Sequence, residues 1–225
     1  MTTLADLNNK HGGKECWIFG TGPSLDSIDM DTVTGPRILI NRAAFAVPYS
    51  DDETYWMVID NWWEYDVTDT WYKTLDRVKS GCGMIGVFRD NSKIPLFPTG
   101  SNVTNKIPSR ISENIIIWDC VGKIDNECLY YTREEVASKN KLYPSSGSIN
   151  SAVHLAWYMV CHKIKLVGVD GTVKITPGHG YANIIACEYG DKSAWLGSYS
   201  KRKHNALDAA EALGLIVKDY SIEVT

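Results

Sequence analysis

Short apolar runs recur along the chain, and most of them end in a glycine or a polar residue. Runs of this length and composition are typical of strands that are buried on both faces of a parallel sheet. The seven predicted strands are Cys16–Gly20, Arg37–Asn41, Tyr55–Asp60, Met84–Phe88, Asn114–Asp119, Lys163–Asp170 and Leu215–Tyr220.

Helical periodicity appears between several of these runs. Ser148–Cys161 has apolar residues near a 3.6-residue spacing behind a serine cap, and the alanine-rich Lys203–Leu213 stops at Gly214, a residue suited to a helix end. Trp62–Lys79 is a weaker helix candidate. Strands that alternate with helices predict an α/β fold, namely a single Rossmann-like domain over 1–225 with a mostly parallel sheet and helices on both faces.

Two segments interrupt this alternation. Arg89–Pro108 has three prolines among many turn residues, and Tyr130–Pro144 has no clear periodicity. The region 89–144 is therefore predicted to hold a loop-rich insertion or a lid, because long irregular segments of compact domains often cover a site.

Composition and charge narrow the class of protein. The 225 residues are 44% hydrophobic with a net charge of −4, which argues against a bulk polycation for nucleic acid or membranes. No run approaches the roughly 20 apolar residues of a membrane span, and the N-terminus lacks the pattern of a secretory signal. The six cysteines form no CxxC pair, as expected in a reducing compartment. We expect a cytoplasmic protein.

Residues suited to ligand binding follow the predicted strands at their carboxyl ends, where open α/β sheets bind ligands. They are Gly20, Thr21, Gly22, Pro23 and Ser24 after the first strand, Asn41 and Arg42 after the second, Asp60 after the third, Asp170 after the sixth, and Ser145, Ser146, Gly147 and Ser148 before the helix that precedes the sixth.

Each cluster allows more than one role. The glycine loop is neither a Walker A motif nor GxGxxG, since Leu25 stands at the third glycine position, so it is either a phosphate cradle or a plain strand-to-helix turn. Asn41 could bind a base or ribose and Arg42 a phosphate, or both could be surface residues. Asp60 could hold a ribose hydroxyl, a metal or a helix cap. Ser148 and the residues before it form either an anion site or a helix cap.

The order of these motifs resembles a known superfamily. GTGPSL, ILINRA, a strand ending in Asp, SSGSINSAVHLA, and KIKLVGVD with a downstream HGYAN are similar to the group that joins bacterial lipooligosaccharide sialyltransferases with motility accessory factor and 6-hydroxymethylpterin diphosphokinase-like proteins. The region 89–144 has no match in this pattern.

The sialyltransferase branch implies a CMP-activated sugar used without a metal. By motif, Gly20, Gly22, Ser24 and Asn41 would hold the nucleotide; Ser146, Gly147 and Asp170 would hold cytidine, ribose or sugar; and Tyr181 would face the phosphate. That branch has a catalytic histidine in a segment similar to LGSYSKRKHNALDAAEAL, where this chain has Ser198. Serine is a poor general base without help, so the catalytic candidates are Ser198, His179, His204 and Asp170.

The diphosphokinase-like branch implies ATP and Mg²⁺ instead. Asp60 and Asp170 would be the metal ligands, and Arg42 with 201–203 (Lys-Arg-Lys) would supply cations. A third alternative is a nucleotide-binding module without catalysis, in keeping with Ser198 at the histidine position.

Of these alternatives, we expect a glycosyltransferase-like enzyme with a CMP- or UDP-sugar as co-substrate, no tightly bound cofactor and no metal. Its acceptor would be a surface glycan or, failing that, a modified nucleic acid. A homo-oligomer is compatible with this reading.

Overall fold

A computed structural model describes residues 3–48, 53–58, 74, 76, 78, 84–90, 114–119, 132–142, 148–170 and 206–220. Within these residues all strands belong to one sheet of seven parallel strands. The strands are β1 (Glu15–Phe19), β2 (Arg37–Ile40), β3 (Thr54–Val58), β4 (Met84–Asp90), β5 (Ile115–Asp119), β6 (Lys163–Val167) and β7 (Ile216–Asp219). Among the described helices, none is both long enough and apolar enough to cross a membrane.

The strand order places a topological switch beside β1. The order across the sheet is β5-β4-β3-β2-β1-β6-β7, so β2 lies on one side of β1 and β6 on the other. Connections that leave neighbouring strands in opposite directions open a crevice at the carboxyl edge of the sheet. The fold is therefore α/β and Rossmann-like, with its switch point between β1 and β6.

Helices cover both faces of this sheet. They are α1 (Ala43–Ala46), α2 (Arg133–Lys139), α3 (Ser148–Tyr158) and α4 (206–212), and 3₁₀ turns occur at Leu4–Leu7, Pro23–Ser27 and Met30–Thr32. Helices α2, α3 and α4 pack with Leu4 and Leu7 on one face, whereas α1, Leu25 and Val78 pack on the other.

Strand β1 shows how one sequence serves both layers. Cys16 and Ile18 belong to the core under α3, while Trp17 and Phe19 belong to the opposite core, and all four side chains are buried. Because successive side chains of a strand point to opposite faces, a strand with a helix on each side must be apolar at every position. This explains the uninterrupted apolar runs in the sequence.

All seven predicted strands are present, with ends that differ by at most three residues. The largest difference is in β6, which ends at Val167 rather than at Asp170. The predicted helix Ser148–Cys161 is α3, and Ser148 is its first helical residue rather than a cap that precedes it. In the weaker helix candidate, Thr74, Asp76 and Val78 are helical.

The described residues of region 89–144 include one predicted and one unpredicted element. Strand β5, as predicted, pairs with β4 inside the sheet, and α2 lies within the segment 130–144, where the sequence predicts no helix. The insertion or lid stays a prediction. A capping box begins α2, in which the Thr132 hydroxyl accepts the Glu135 N–H and the Glu135 carboxylate accepts the Thr132 N–H.

Candidate functional site

The loop after β1 lies directly against the loop after β6. The Gly20 N–H donates to the Val167 carbonyl at 2.8 Å, and the Gly22 N–H donates to the Gly168 carbonyl at 2.7 Å. The ladder between the two strands thus continues into their loops, which form one side of the switch-point crevice.

Ser24 and Asp170 connect the same two loops further from the strands. The Asp170 Oδ2 accepts the Ser24 N–H at 3.0 Å, and the Ser24 hydroxyl oxygen accepts the Gly168 N–H at 2.8 Å. Ser24 is fully buried and Asp170 is 8% exposed. Two residues 146 positions apart in sequence therefore hold the loops together through both side chains.

The glycines in these loops are required by the close approach of the two backbones. A Cβ at Gly20 would lie 2.3 Å from the Gly168 oxygen, and a Cβ at Gly22 would lie 2.2 Å from Asp170 Oδ2. Gly168 has φ +67°, and its own Cβ would lie 2.4 Å from the Gly20 oxygen. No real Cβ atom tolerates such distances, so each position excludes every other residue unless the backbone moves.

Most backbone N–H groups of the glycine loop therefore already have hydrogen-bond partners within the protein. The N–H groups of Gly20, Gly22 and Ser24 all have partners in the last residue of β6 or in the loop that follows it, and Pro23, which begins the 3₁₀ turn, has no N–H to offer. The Thr21 N–H is the one backbone donor of this loop for which the described residues provide no hydrogen-bond partner. Of the two roles left open by the sequence, the strand-to-helix turn describes this geometry better than a multi-donor phosphate cradle.

Asn41 stands at the carboxyl end of β2 in a left-handed conformation, with φ +50°. Its backbone is fixed from β3, because its N–H donates to the Met57 carbonyl at 2.9 Å and its carbonyl accepts the Trp56 indole N–H at 2.8 Å. Its Nδ2 donates to the Ser148 hydroxyl at 3.4 Å. Its Oδ1 is buried without a hydrogen-bond partner among the described residues.

A buried cation and a helix start lie at the same edge. Arg42 is 6% exposed and follows Asn41, and α3 begins at Ser148, whose hydroxyl the Asn41 amide reaches. The first turn of an α-helix carries N–H groups without intrahelical partners and a partial positive charge. This side of the crevice therefore suits an anionic group with a hydrogen-bond donor beside it.

The structure brings the predicted residues together in two groups. Gly20, Thr21, Gly22, Pro23 and Ser24 form the first with Asp170, and Asn41 and Ser148 form the second, with Arg42 adjacent in sequence. The remaining predicted residues lie outside the described part of the chain: Asp60, Ser145, Ser146, Gly147, His179, Tyr181, Ser198, Lys201, Arg202, Lys203 and His204.

Sequence reasoning missed Gly168. This glycine interrupts an apolar run between Val167 and Val169, and an isolated glycine inside a strand pattern signals a bulge or a close backbone approach. That signal was present in the sequence. Its partner loop could not be identified without the knowledge that β6 lies beside β1.

Metal binding has limited support in the described residues. No group of three His, Cys, Asp or Glu side chains within them is close enough to hold an ion. Asp170, one of the two metal ligands of the diphosphokinase hypothesis, has its Oδ2 bonded to the Ser24 N–H. Asp60, the other, lies outside the described residues.

The fold and this edge define a doubly wound parallel α/β protein with a switch-point crevice. No protein-family model, curated protein or solved structure matches the chain. The resemblance to the sialyltransferase and diphosphokinase superfamily therefore rests on the order of its motifs alone.

Proposed function

We propose that this chain is a nucleotide-dependent glycosyltransferase that binds a CMP- or UDP-linked sugar in the crevice between the carboxyl ends of β1 and β6 and the start of α3. The proposal depends above all on Asn41. Asn41 adopts a left-handed backbone, which asparagine tolerates better than other non-glycine residues, and its Nδ2 reaches Ser148 at the start of α3. Its Oδ1 is buried and has no hydrogen-bond partner among the described residues.

The acceptor on Asn41 suits the nucleoside part of the donor. A buried carbonyl oxygen without a hydrogen bond costs roughly 1–3 kcal/mol, which a ligand recovers when it supplies a donor. Ribose hydroxyls and the exocyclic amine of cytosine are such donors, and both belong to the same nucleotide as the phosphate. Asn41 would thus select the nucleoside while its Nδ2 stays on Ser148.

We place the phosphate of the donor near Arg42 and the start of α3. The start of α3 carries the partial positive charge of an eleven-residue helix, and Arg42, which is buried and follows Asn41, supplies a cation at the same edge of the sheet. The glycine loop contributes a rigid wall rather than a set of donors, because three of its N–H groups are already bonded. The sequence motifs imply that the glycine loop binds the phosphate, so its placement near Arg42 and α3 is the main change from that prediction.

The chemistry we propose is direct displacement at the anomeric carbon of the donor. The acceptor oxygen would form the new bond as the nucleotide phosphate leaves, and the α3 start with Arg42 would stabilise the charge that grows on that phosphate. The general base would be His179, Ser198 or His204. The acceptor would be a surface glycan or, failing that, a modified nucleic acid.

Thermal unfolding in the presence of nucleotides tests the proposal. CMP, CDP, UMP, UDP, ADP and ATP are compared with and without Mg²⁺, because a ligand at ~100 times its Kd stabilises the fold by about 2.7 kcal/mol. Metal-independent stabilisation by a cytidine or uridine nucleotide is expected, together with hydrolysis of the corresponding nucleotide sugar. Stabilisation by ATP with Mg²⁺ alone would favour the diphosphokinase, and binding without turnover would favour the non-catalytic module.

The Asn41→Gly variant tests the contribution of the Asn41 side chain to binding without a change in the backbone. Glycine adopts φ +50° without strain, so this variant keeps the backbone and removes only the amide. We expect at least a tenfold rise in nucleotide Kd. Asn9→Gly is the matched control, because Asn9 has φ +58° and its N–H donates to the Tyr158 carbonyl at the C-terminal end of α3, away from Ser148. Equal affinities for both variants would remove Asn41 from the site.

A further inference from the structure

Strand β3 holds the backbone of Asn41 from both sides. The Asn41 N–H donates to the Met57 carbonyl at 2.9 Å, and the Asn41 carbonyl accepts the Trp56 indole N–H at 2.8 Å. The first bond continues the ladder between β2 and β3, in which Ile40 pairs with Met57. The second bond comes from a side chain and lies outside the backbone pattern of a parallel sheet. Trp56 therefore supplies a contact that strand pairing alone does not provide.

The Trp56 ring is fixed in place by aromatic neighbours. It makes edge-to-face contacts with Phe45 on α1 and Phe88 on β4, at ring-centroid distances of 6.0 and 5.2 Å. Such contacts stabilise one relative orientation of the rings beyond the effect of burial. The indole N–H is thus directed at the Asn41 carbonyl by packing on two other elements. Trp56 is fully buried, so it has no exposed surface with which to contact a ligand.

The two hydrogen bonds hold the peptide groups on both sides of the Asn41 α-carbon. The Met57 carbonyl holds the preceding peptide and the Trp56 indole holds the following one. Because each peptide group is planar, holding both of them sets φ and ψ, here with a left-handed φ of +50°, and with them the direction of the Cβ. In that direction the Asn41 Nδ2 reaches the Ser148 hydroxyl. Trp56 packs on the α1 side of the sheet, whereas the Asn41 amide contacts α3 on the other side.

We infer that Trp56 is a positioning residue for nucleotide binding, whose indole N–H holds the Asn41 backbone in the left-handed conformation that directs the Asn41 amide towards the start of α3. The inference rests on the proposed function for its link to the nucleotide. Trp56 acts through Asn41 and not by contact with the ligand. The sequence indicates for Trp56 only a place in a buried strand.

An isosteric replacement separates the hydrogen bond from the packing of the ring. Benzothienylalanine keeps both fused rings of tryptophan and has sulfur in place of the N–H, so at position 56 it removes the bond and keeps the shape. The same replacement of Trp17 is the matched control. Trp17 is a buried strand residue of the same core, and its indole N–H donates to the Thr34 carbonyl at 3.1 Å.

Nucleotide affinity is the first measurement. CMP and UMP are titrated into wild type and both benzothienylalanine proteins, and circular dichroism gives the folded fraction of each. We expect the Kd to rise at least fivefold when Trp56 is replaced and to stay within twofold of wild type when Trp17 is replaced. An unchanged Kd after replacement of Trp56, or an equal loss in both proteins, would overturn the inference.

The Asn41→Gly protein distinguishes a positioning role from a general structural one. If Trp56 acts through the Asn41 side chain, its replacement should change the Kd less than twofold in a protein that already lacks that side chain, and the two changes should be non-additive. A further loss of fivefold or more in Asn41→Gly would mean that Trp56 affects the crevice by another route, which contradicts the inference.

The conformation of Asn41 can be measured without a ligand. A positive φ brings the amide and α protons of a residue close together, so Asn41 should show a strong intraresidue nuclear Overhauser effect in wild type. We expect this signal to fall at least twofold when Trp56 is replaced by benzothienylalanine and to persist when Trp17 is replaced. Trp56→Phe also lacks the N–H and provides a second variant if the first fails to fold.

The failure of the inference and that of the proposed function have different signatures. If wild type binds no nucleotide, the proposed function is wrong, and the Asn41 signal still shows whether Trp56 holds this backbone. If that signal is unchanged in both Trp56 variants, the inference is wrong even where wild type binds CMP or UMP.

Discussion

Val160 and Gly214 occupy the same position at the ends of α3 and α4. In both cases the residue donates its N–H to the carbonyl three residues earlier at 2.9 Å, and the next residue donates to the carbonyl five residues before itself, at 3.1 Å after α3 and 2.9 Å after α4. Both residues have left-handed backbones, with φ +64° for Val160 and +71° for Gly214. This pair of hydrogen bonds is the Schellman motif, and its left-handed residue is usually glycine.

Val160→Gly should therefore stabilise the protein. A left-handed conformation costs a β-branched residue about 1–2 kcal/mol or more, while glycine costs roughly 0.5–1 kcal/mol in the entropy of the unfolded chain. The expected gain in the free energy of unfolding is about 1 kcal/mol, measured by urea denaturation. The reverse change, Gly214→Val, should destabilise by a similar or larger amount. A loss of stability in Val160→Gly would show that the valine side chain contributes more by packing than it costs in strain.

Gly168→Ala should be more damaging than Gly13→Ala. Both glycines have left-handed backbones, with φ +67° and +75°, but a Cβ at Gly168 would lie 2.4 Å from the Gly20 oxygen, whereas a Cβ at Gly13 meets nothing within 4 Å. Gly13→Ala should thus lose about 1 kcal/mol to conformation alone, and Gly168→Ala about 1–3 kcal/mol more from the clash. Urea denaturation of both variants measures the difference. Equal losses would mean that the loops separate easily.

The positions of the strands along the chain could be predicted, because strands that are buried on both faces appear in the sequence as short apolar runs. Most strands are apolar runs, whereas the edge strand β7 is largely exposed, and Gly214 marks the end of α4 as expected. Helix α2 was missed although its capping box, Thr132 and Glu135, is visible in the sequence, because the segment around it has few apolar residues.

The contacts of the site could not be predicted in the same way. From the sequence, the glycine loop could be either a phosphate cradle or a plain strand-to-helix turn, because nothing in the sequence states that β6 lies beside β1 and uses those N–H groups. The bond between Ser24 and Asp170 joins positions 146 residues apart, and the bond between Asn41 and Ser148 joins positions 107 apart. Such pairs depend on sheet topology, which local patterns do not encode.

Acid should weaken a cluster of charges at the start of β1. Two lysine ammonium groups, Lys163 and Lys165, bond the Glu15 carboxylate at 2.7 and 2.5 Å and lower the pKa of Glu15 from 4.5 to about 2. Because the folded pKa is depressed, this contribution to stability is present above pH 4.5 and is lost as the pH falls towards 2.

Glu15→Gln tests that contribution. The variant should lose less stability than wild type between pH 4.5 and pH 2 in urea titrations. The difference should shrink at high salt, because these side chains are partly exposed and their interaction is screened. The exposed pair of Glu135 and Lys139 on α2 provides a control. The free energies of unfolding of Glu135→Ala, Lys139→Ala and the double variant give the contribution of an ordinary surface ion pair. Identical acid slopes for wild type and Glu15→Gln would contradict the prediction.

A second cluster, at the amino edge of the sheet, has His11 at its centre. His11 is 5% exposed, its Nε2 lies 2.8 Å from the Tyr55 hydroxyl and 3.2 Å from Glu53 Oε2, and its Nδ1 has no partner among the described residues. Burial lowers the pKa of His11 from 6.5; the Glu53 carboxylate opposes this shift, and the charges of Lys14 and Lys10 add to it.

The protein should therefore lose stability as the pH falls from 7.5 to 5. The unfolded chain binds a proton on this histidine near pH 6.5, while the folded protein still keeps His11 neutral, so protonation favours unfolding in that interval. His11→Gln removes the titrating ring and keeps a polar group near Tyr55, and it should flatten the dependence of the free energy of unfolding on pH. Equal slopes in wild type and His11→Gln would show that His11 is protonated in the folded protein with no penalty from burial.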